Sequence, residues 1–348
     1  MSGPRPVTGR SRPFDKTGRR RRWPDIGPAA PTAAASYNQA NRCPHIVLEP
    51  KTSPRTLDDP LADDMRRVDQ VIRERLSSRV ALIDQIAGYI VSAGGKRIRP
   101  RLVLLFSQAL GFDGPERHEL AAIVEFIHTA TLLHDDVVDE SSLRRGRATA
   151  NAVFGNAASV LVGDFLYSRA FQMMVSVDRM RVLQVLADAT NVIAEGEVLQ
   201  LMNMHDPDLA VDEYLRVIRY KTAKLFEASA QLGAVLAGAD ESMQERCADY
   251  GRSLGTAFQL IDDLLDYEGS SAELGKNIGD DLREGKATLP LLIAMARADQ
   301  ADRALLRQAI EAGELQRLPE VVAIVRASGA LDATRDAARD EAAKAERL

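Results

Sequence analysis

From Leu61 onward, apolar residues recur at helical spacing. Leu61, Met65, Val68, Ile72 and Leu76 fall on one stripe with charges between them. The same period continues towards the C-terminal end, and no stretch alternates apolar and polar residues as a half-buried strand does. Gly and Pro stand mainly between the periodic runs, at Gly94-Gly95, Pro100, Gly111, Gly155 and Pro290, where they punctuate the helices. Ala, Leu, Glu, Gln, Arg and Met are abundant, which favours helix. The pattern predicts an all-α, single-domain bundle of about ten helices over residues 56–348. Residues 1–55 carry no apolar period and are rich in Pro, Arg, Ala and Ser, so they are expected to form a disordered basic extension.

Charge sharpens that division. The net charge is −5, but before residue 56 there are eleven Lys or Arg against three acids, which leaves −13 on the remainder. The Arg19–Arg22 run reads as a solvated tail rather than a nucleic-acid contact. No apolar run reaches the roughly 18 residues needed to span a bilayer. The Arg-rich start lacks the apolar core of a secretory signal. The two cysteines, Cys43 and Cys247, are far apart and suggest neither a disulfide framework nor a thiolate metal site. A reducing cytoplasm fits that usage.

Two acidic motifs stand out. His134-Asp135-Asp136-Val137-Val138-Asp139 follows the strongly apolar run Ile123–Leu133. On a helix, Asp135 and Asp139 share one face and Asp136 stands about 100° away. A helix this apolar is buried, and clustered buried carboxylates are costly unless a cation neutralises them. Hard oxygen ligands suit Mg²⁺, which bridges one or two carboxylates to substrate phosphates. Taken alone, the motif is equally compatible with a solvated helix end. The same spacing returns 127 residues later, at Asp262, Asp263 and Asp266, again inside an apolar run that includes Gln259. Two such clusters on different helices can face each other across a cavity.

The basic groups complete the pattern. Gly94-Gly95-Lys96-Arg97-Ile98-Arg99-Pro100 sets three cations in a Gly-initiated turn, and Arg144-Arg145 follows the first acidic motif. Lys221-Thr222, Lys276 and Lys286 come later. Diphosphates need both metal ions and donor forks, and separate cation groups suggest two phosphate-bearing substrates. No Walker A or Rossmann glycine pattern accompanies them, so a nucleotide is not implied.

With these residues in view, the chain from about Met65 onward resembles the long-chain trans-polyprenyl diphosphate synthases, most specifically those that form octaprenyl chains for quinones. The stretches that carry the resemblance are Gly94–Pro100, Phe126–Arg145, Gly155–Phe165, Lys221–Ala223, Gly255–Asp266 and Gly275–Pro290. The resemblance implies an isoprenoid-synthase-type helical bundle around a central cavity. It places isopentenyl diphosphate at Lys96, Arg99, His128 and Arg145. It gives Asp135, Asp136 and Asp139 to the first Mg²⁺ motif and Asp262, Asp263 and Asp266 to the second. It assigns Arg144, Lys221, Thr222, Gln259 and Lys276 to the allylic diphosphate. His128 alone would read as a core histidine, but it lies two turns before Asp135 on the same face.

The implied chemistry starts with ionisation of the allylic diphosphate, followed by attack of the isopentenyl π-bond and loss of a proton to the released diphosphate. Asp135, Asp139, Lys221, Thr222 and Gln259 would carry it, the last two by turning dipoles towards the cation. Water must be excluded. The growing chain would run along the helix bearing Asp135, and the small Ala130 and Thr131, one turn back, would leave the way open. Ala130→Tyr is then expected to shorten the product. A homodimer and a peripheral membrane contact for product release belong to the same implication. The family pattern also continues with another helix beyond Leu348, so weaker activity or stability is expected, and it has no counterpart to the basic extension. A terpene cyclase has no use for Lys96, Arg99 and Arg145. A non-catalytic subunit of a heteromeric synthase has no use for two complete acidic motifs, and a purely structural helical protein explains none of these groups.

Overall fold

The computed structural model describes residues 59–268, 279–313 and 315–348, which fall within a compact unit spanning Leu57–Leu348. The expected extension 1–55 and Lys276 lie outside the described residues.

The amphipathic stripe at the start becomes α1 (Ala62–Leu76), with Met65, Val68, Ile72 and Leu76 buried. It leads into α2 (Ala81–Ser92), α3 (Ile98–Ala109) and α4 (Glu116–Val138). α4 is apolar on nearly all sides, from Leu120 to Leu133, and it is buried accordingly. After a short hairpin come α5 (Ala150–Phe154), α6 (Asn156–Val177), α7 (Met180–Met202) and α8 (Val211–Ile218). A π-helical turn, Arg219–Ala223, joins α8 to α9 (Lys224–Leu236), and α10 (Glu241–Glu268) follows. The remaining helices are α11 (Asp280–Arg283), α12 (Leu289–Arg297), α13 (Gln300–Ala312), α14 (Leu318–Ala327) and α15 (Ala330–Glu346). Local signals set several ends. Pro290 sits in the first turn of α12. Asp299 caps α13 by accepting from the amides of Ala301 and Asp302, and Gly313 closes that helix with φ 64°.

α4 packs on α6, α3 and α1, while α10 packs on α9 and α15. Among the described residues two large apolar clusters result, beside a small one around Ala230, Ala234 and Cys247. One large cluster gathers α1–α4, α6, α7 and α9 around residues such as Ile72, Ile123, Phe126, Leu166 and Leu186. The other gathers α8 and α10 to α15 around Tyr214, Leu264, Leu291, Leu306 and Val325.

The all-helical expectation holds with one exception. Leu143–Arg144 and Arg147–Ala148 form an antiparallel pair, with Leu143 opposite Ala148. The strands are too short to show a period. The turn between them, Arg145-Gly146, has both φ values positive (52° and 73°), the backbone a tight hairpin turn demands.

Candidate active site

A cavity of about 570 Å³ opens between α3, α4, α7, α8, α10 and the loop around α11. One face of α4 runs along it, contributing Glu125, His128, Thr131, Leu132, Asp135 and Asp139. Its two ends differ in charge. Lys96, Arg97, Arg99 and Arg145 gather beside Glu125 and His128. Asp135 and Asp139 face Asp262, Asp263, Asp266, Asp280 and Asp281 at the other end, with Lys221 and Lys286 among them. Every sequence-predicted site residue within the described residues lines this cavity except Asp136.

Asp136 is 1% exposed and accepts a 2.7 Å hydrogen bond from Arg144 Nε. Its position, about 100° round α4 from Asp135, falls behind the wall at this helix. It therefore holds Arg144 in place, and Asp135 and Asp139 are the carboxylates of that motif on the cavity. Burial pushes the Asp135 carboxyl up, and Lys221 opposes that shift. Lys286 donates to Asp139 at 3.3 Å and to Glu284. Burial alone would pull Lys286 down, but Asp139, Glu284 and Asp281 outweigh it and hold the ammonium charged.

On α10 all three carboxylates line the cavity. Asp263 accepts from Tyr214 Oη at 2.5 Å and from Gln259 Nε2 at 2.7 Å. Thr222 Oγ1 donates to Gln259 Oε1 at 2.9 Å. Thr222, Gln259 and Asp263 therefore form one chain of hydrogen bonds. Asp266 accepts from the amide of Asp281 at 3.3 Å. Lys221 and Thr222 sit in the π-helical turn, a distortion common at functional sites. Glycines let neighbours press on it. A Cβ at Gly196 would lie 2.6 Å from the Lys221 amide nitrogen, and one at Gly255 2.6 Å from Ala223 Cα.

At the basic end, Arg99 stacks over Phe226 with its guanidinium carbon 4.4 Å from the ring centroid, and its Nε is buried without a partner. Burial brings its pKa down to about 10. Burial and the surrounding guanidiniums, Arg99 foremost, push His128 well below its ordinary value. Its charged form is strongly disfavoured there. An orphaned guanidinium donor among other cations fits an anionic ligand.

The acidic end fits hard divalent cations by its donor set, which is carboxylate oxygen throughout. Among the described residues no group of three or more His, Cys, Asp or Glu side chains already forms a cage for a metal ion.

Several lining residues were not among those predicted from sequence. Tyr214 lies in an ordinary amphipathic run, whereas Glu125 is the one acid within the strongly apolar run Ile123–Leu133, and its isolation there was a clue. Glu197 accepts a hydrogen bond from Lys221 Nζ at 2.6 Å, and burial raises its pKa to about 7 against the pull of Lys221. Asp280-Asp281 lies in a stretch that carried the family resemblance, and the adjacent pair of acids was the available clue. Ala130 departs from expectation. It is 0% exposed within the first apolar cluster and lines neither this cavity nor its neighbour. The one-turn offset from Asp135 falls instead on Thr131, which lines both. The neighbouring cavity, about 460 Å³, lies between α4, α6 and α7 and is walled largely by apolar residues such as Val138, Ile193, Val198 and Leu201.

A cavity walled mainly by helices, with paired carboxylates at one end and a cation cluster at the other, suits an enzyme that handles diphosphates, and comparison with known proteins says which kind. The polyprenyl synthetase family profile matches residues 80–325. Octaprenyl diphosphate synthase of Escherichia coli (strain K12) is 58% identical over 285 residues, spanning 82% of this chain and 88% of that one. The octaprenyl diphosphate synthase of Haemophilus influenzae is 55% identical over 287 residues, 82% and 87% of the two chains. The polyprenyl synthase from Caulobacter crescentus CB15, solved in complex with calcium and isoprenyl diphosphate, is 50% identical, with a TM-score of 0.80 over 82% of this chain and 88% of that one. The chain belongs to the polyprenyl synthetase family and is a trans-prenyltransferase that makes long-chain products from isopentenyl and allylic diphosphates.

Proposed function

We propose that this enzyme extends farnesyl diphosphate with isopentenyl diphosphate to an all-trans octaprenyl diphosphate destined for quinone side chains, using Mg²⁺. The observation that carries the reading is the opposed charge of the cavity's two ends along one face of α4. The allylic diphosphate belongs at the acidic end. There Asp135 and Asp139 with Asp262, Asp263 and Asp266 would hold Mg²⁺, which supplies positive charge to the departing diphosphate. Lys221 and Arg144 add donors to that group, and Lys276 is assigned with them from its sequence context. Thr222 and Gln259 turn dipoles towards the carbocation, held by their shared hydrogen bond. Isopentenyl diphosphate belongs at Lys96, Arg99, Arg145 and His128. The C–O bond of the allylic diphosphate breaks, the isopentenyl π-bond closes on the cation, and the proton lost goes to the released diphosphate.

The apolar cavity beyond Thr131 and Glu197 is assigned to the growing tail. Exposed apolar side chains on α6 and α7, among them Leu161, Val175, Val198, Leu201 and Met202 (74% exposed), support a homodimer across that face. Its mass in solution by light scattering tests this. Among the described residues no helix is long and apolar enough to cross a membrane. The reading places the enzyme in the cytoplasm, with product handed to a membrane surface.

The test incubates the purified full chain with Mg²⁺, labelled isopentenyl diphosphate and farnesyl diphosphate, and measures product chain length by chromatography beside Asp135→Ala. An octaprenyl product that is lost in the variant is expected. No product from folded wild-type protein would overturn the reading, and a different length would overturn its octaprenyl part.

A further inference from the structure

We propose that Glu125 is a positioning residue for isopentenyl diphosphate, acting through Arg97 to hold the turn that presents Lys96. The inference rests on the assignment of that diphosphate to the basic end of the cavity.

Glu125 lies on α4 one turn before His128 and is buried. Its carboxylate accepts from Arg97 Nη1, and Arg99 and Arg145 also act on it electrostatically. It is a single acid amid three guanidiniums. Arg97 is itself largely enclosed, and its Nη2 lies 3.9 Å from Asp69 on α1. Of the three cations in the Lys96–Arg99 stretch, Arg97 is thus tied to acids on two helices.

The backbone explains why such a tie is needed. Arg97 is the residue before α3 and has φ 50°, a left-handed conformation that side chains other than Gly adopt reluctantly. Gly94 and Gly95 before it have φ 75° and 148°. Gly95 passes so close to Arg145 that a Cβ would lie 2.8 Å from Nη1. The glycines adopt these values at no steric cost, so Arg97 is the residue of the turn whose conformation persists only where surrounding contacts over-determine it. The Glu125–Arg97 pair is the buried contact that anchors the turn to α4, and Lys96 projects from it into the cavity.

A carboxylate beside an anion site has a second possible effect, opposite in sign. If Glu125 acted only through its charge, removing it would tighten anion binding. A positioning role predicts weaker binding, confined to one substrate.

The experiment compares full-length Glu125→Gln, Arg97→Gln, the double variant and Arg99→Gln, with Mg²⁺ present, varying isopentenyl and farnesyl diphosphate separately. Glu125→Gln is expected to raise KM for isopentenyl diphosphate about tenfold, with kcat and the farnesyl KM within about twofold. Arg97→Gln should match it, and the double variant should be no worse than Arg97→Gln alone. Glu125→Asp, which keeps the charge, should recover part of the loss. An unchanged or lowered isopentenyl KM, equal losses for both substrates, or additive effects in the double variant would overturn the proposal. If thermal melts show Glu125→Gln unfolded, the substrate selectivity of Arg97→Gln decides. Arg99→Gln separates the two levels of argument. If it leaves the isopentenyl KM unchanged, the assignment of the basic end fails and this inference with it. If it raises that KM while Glu125→Gln does not, only the inference fails.

Discussion

The two aspartate motifs share one spacing and differ in what surrounds them. On α4 the motif straddles the helix C-terminus, where the helix dipole opposes negative charge. Its middle carboxylate turns inward to Arg144, and Asp139 pairs with Lys286. On α10 all three carboxylates line the cavity, and the middle one accepts hydrogen bonds from Tyr214 and Gln259. Equal spacing therefore gives unequal roles. The first motif brings two carboxylates and fixes an arginine, while the second brings three and orders a hydrogen-bonded chain that reaches Thr222.

The largest expected effect tests what the motifs share. Asp135→Ala and Asp262→Ala should each lower kcat by about 10³-fold or more, since each removes charge stabilisation from the leaving group. Steady-state assays with farnesyl diphosphate check this. The middle residues then test the difference. Asp263→Asn should shift the Mg²⁺ concentration needed for half-maximal rate. Asp136→Asn should leave that concentration unchanged and instead lower thermal stability by about 3 kcal/mol, because Arg144 loses a buried partner. Matching Mg²⁺ titrations would erase the distinction. Tyr214→Phe removes one donor to a charged group and should cost about tenfold in kcat/KM.

The tail route gives a further contrast. Thr131→Tyr should shorten the product by blocking the wall shared by the two cavities, whereas Ala130→Tyr should overpack the core and destabilise by about 1–3 kcal/mol. Product chromatography with a thermal melt separates these outcomes.

The smallest effect lies away from the cavity. Burial raises the Asp64 carboxyl, but His118 and Arg117 more than offset this and hold it below its ordinary 3.8. A depressed carboxyl stabilises the fold above its unfolded pKa, and that stability is lost as pH falls through the folded value. Asp64→Asn should therefore cost about 1–3 kcal/mol at pH 7 and progressively less below about pH 4. Urea melts across that range would show it.

Much of this was legible in the sequence because helices advertise themselves. The stripe from Leu61 to Leu76 became α1, and the apolar run before His134 became the buried α4. The Asp motifs were legible because their spacing matches the helical period, but the spacing is the same in both, so only packing separates the buried Asp136 from the cavity-lining Asp263. What escaped depends on tertiary placement. Glu197 and Tyr214 meet Lys221 and Asp263 only because α7, α8 and α10 converge. The hairpin at Leu143–Ala148 is too short for any period to register. Ala130 stands five residues before Asp135, about 140° round the helix, while Thr131, four residues before, is the position one turn back, so the helical period itself separates the core position from the cavity position.

The two large apolar clusters bear on how the molecule comes apart. α4 is rooted in one, and the part of α10 that carries the second motif is rooted in the other. Across the cavity between them the facing groups are mostly charged, so the hydrophobic effect does little to join the halves there. A ligand that engages both motifs becomes a cross-brace. At a hundred times its Kd it would add about 2.7 kcal/mol to the fold, and that gain would appear as slowed amide exchange in α4 and α10 together. The substrate is then a structural member of its own enzyme, and the empty and loaded molecules differ in cooperativity as well as in occupancy.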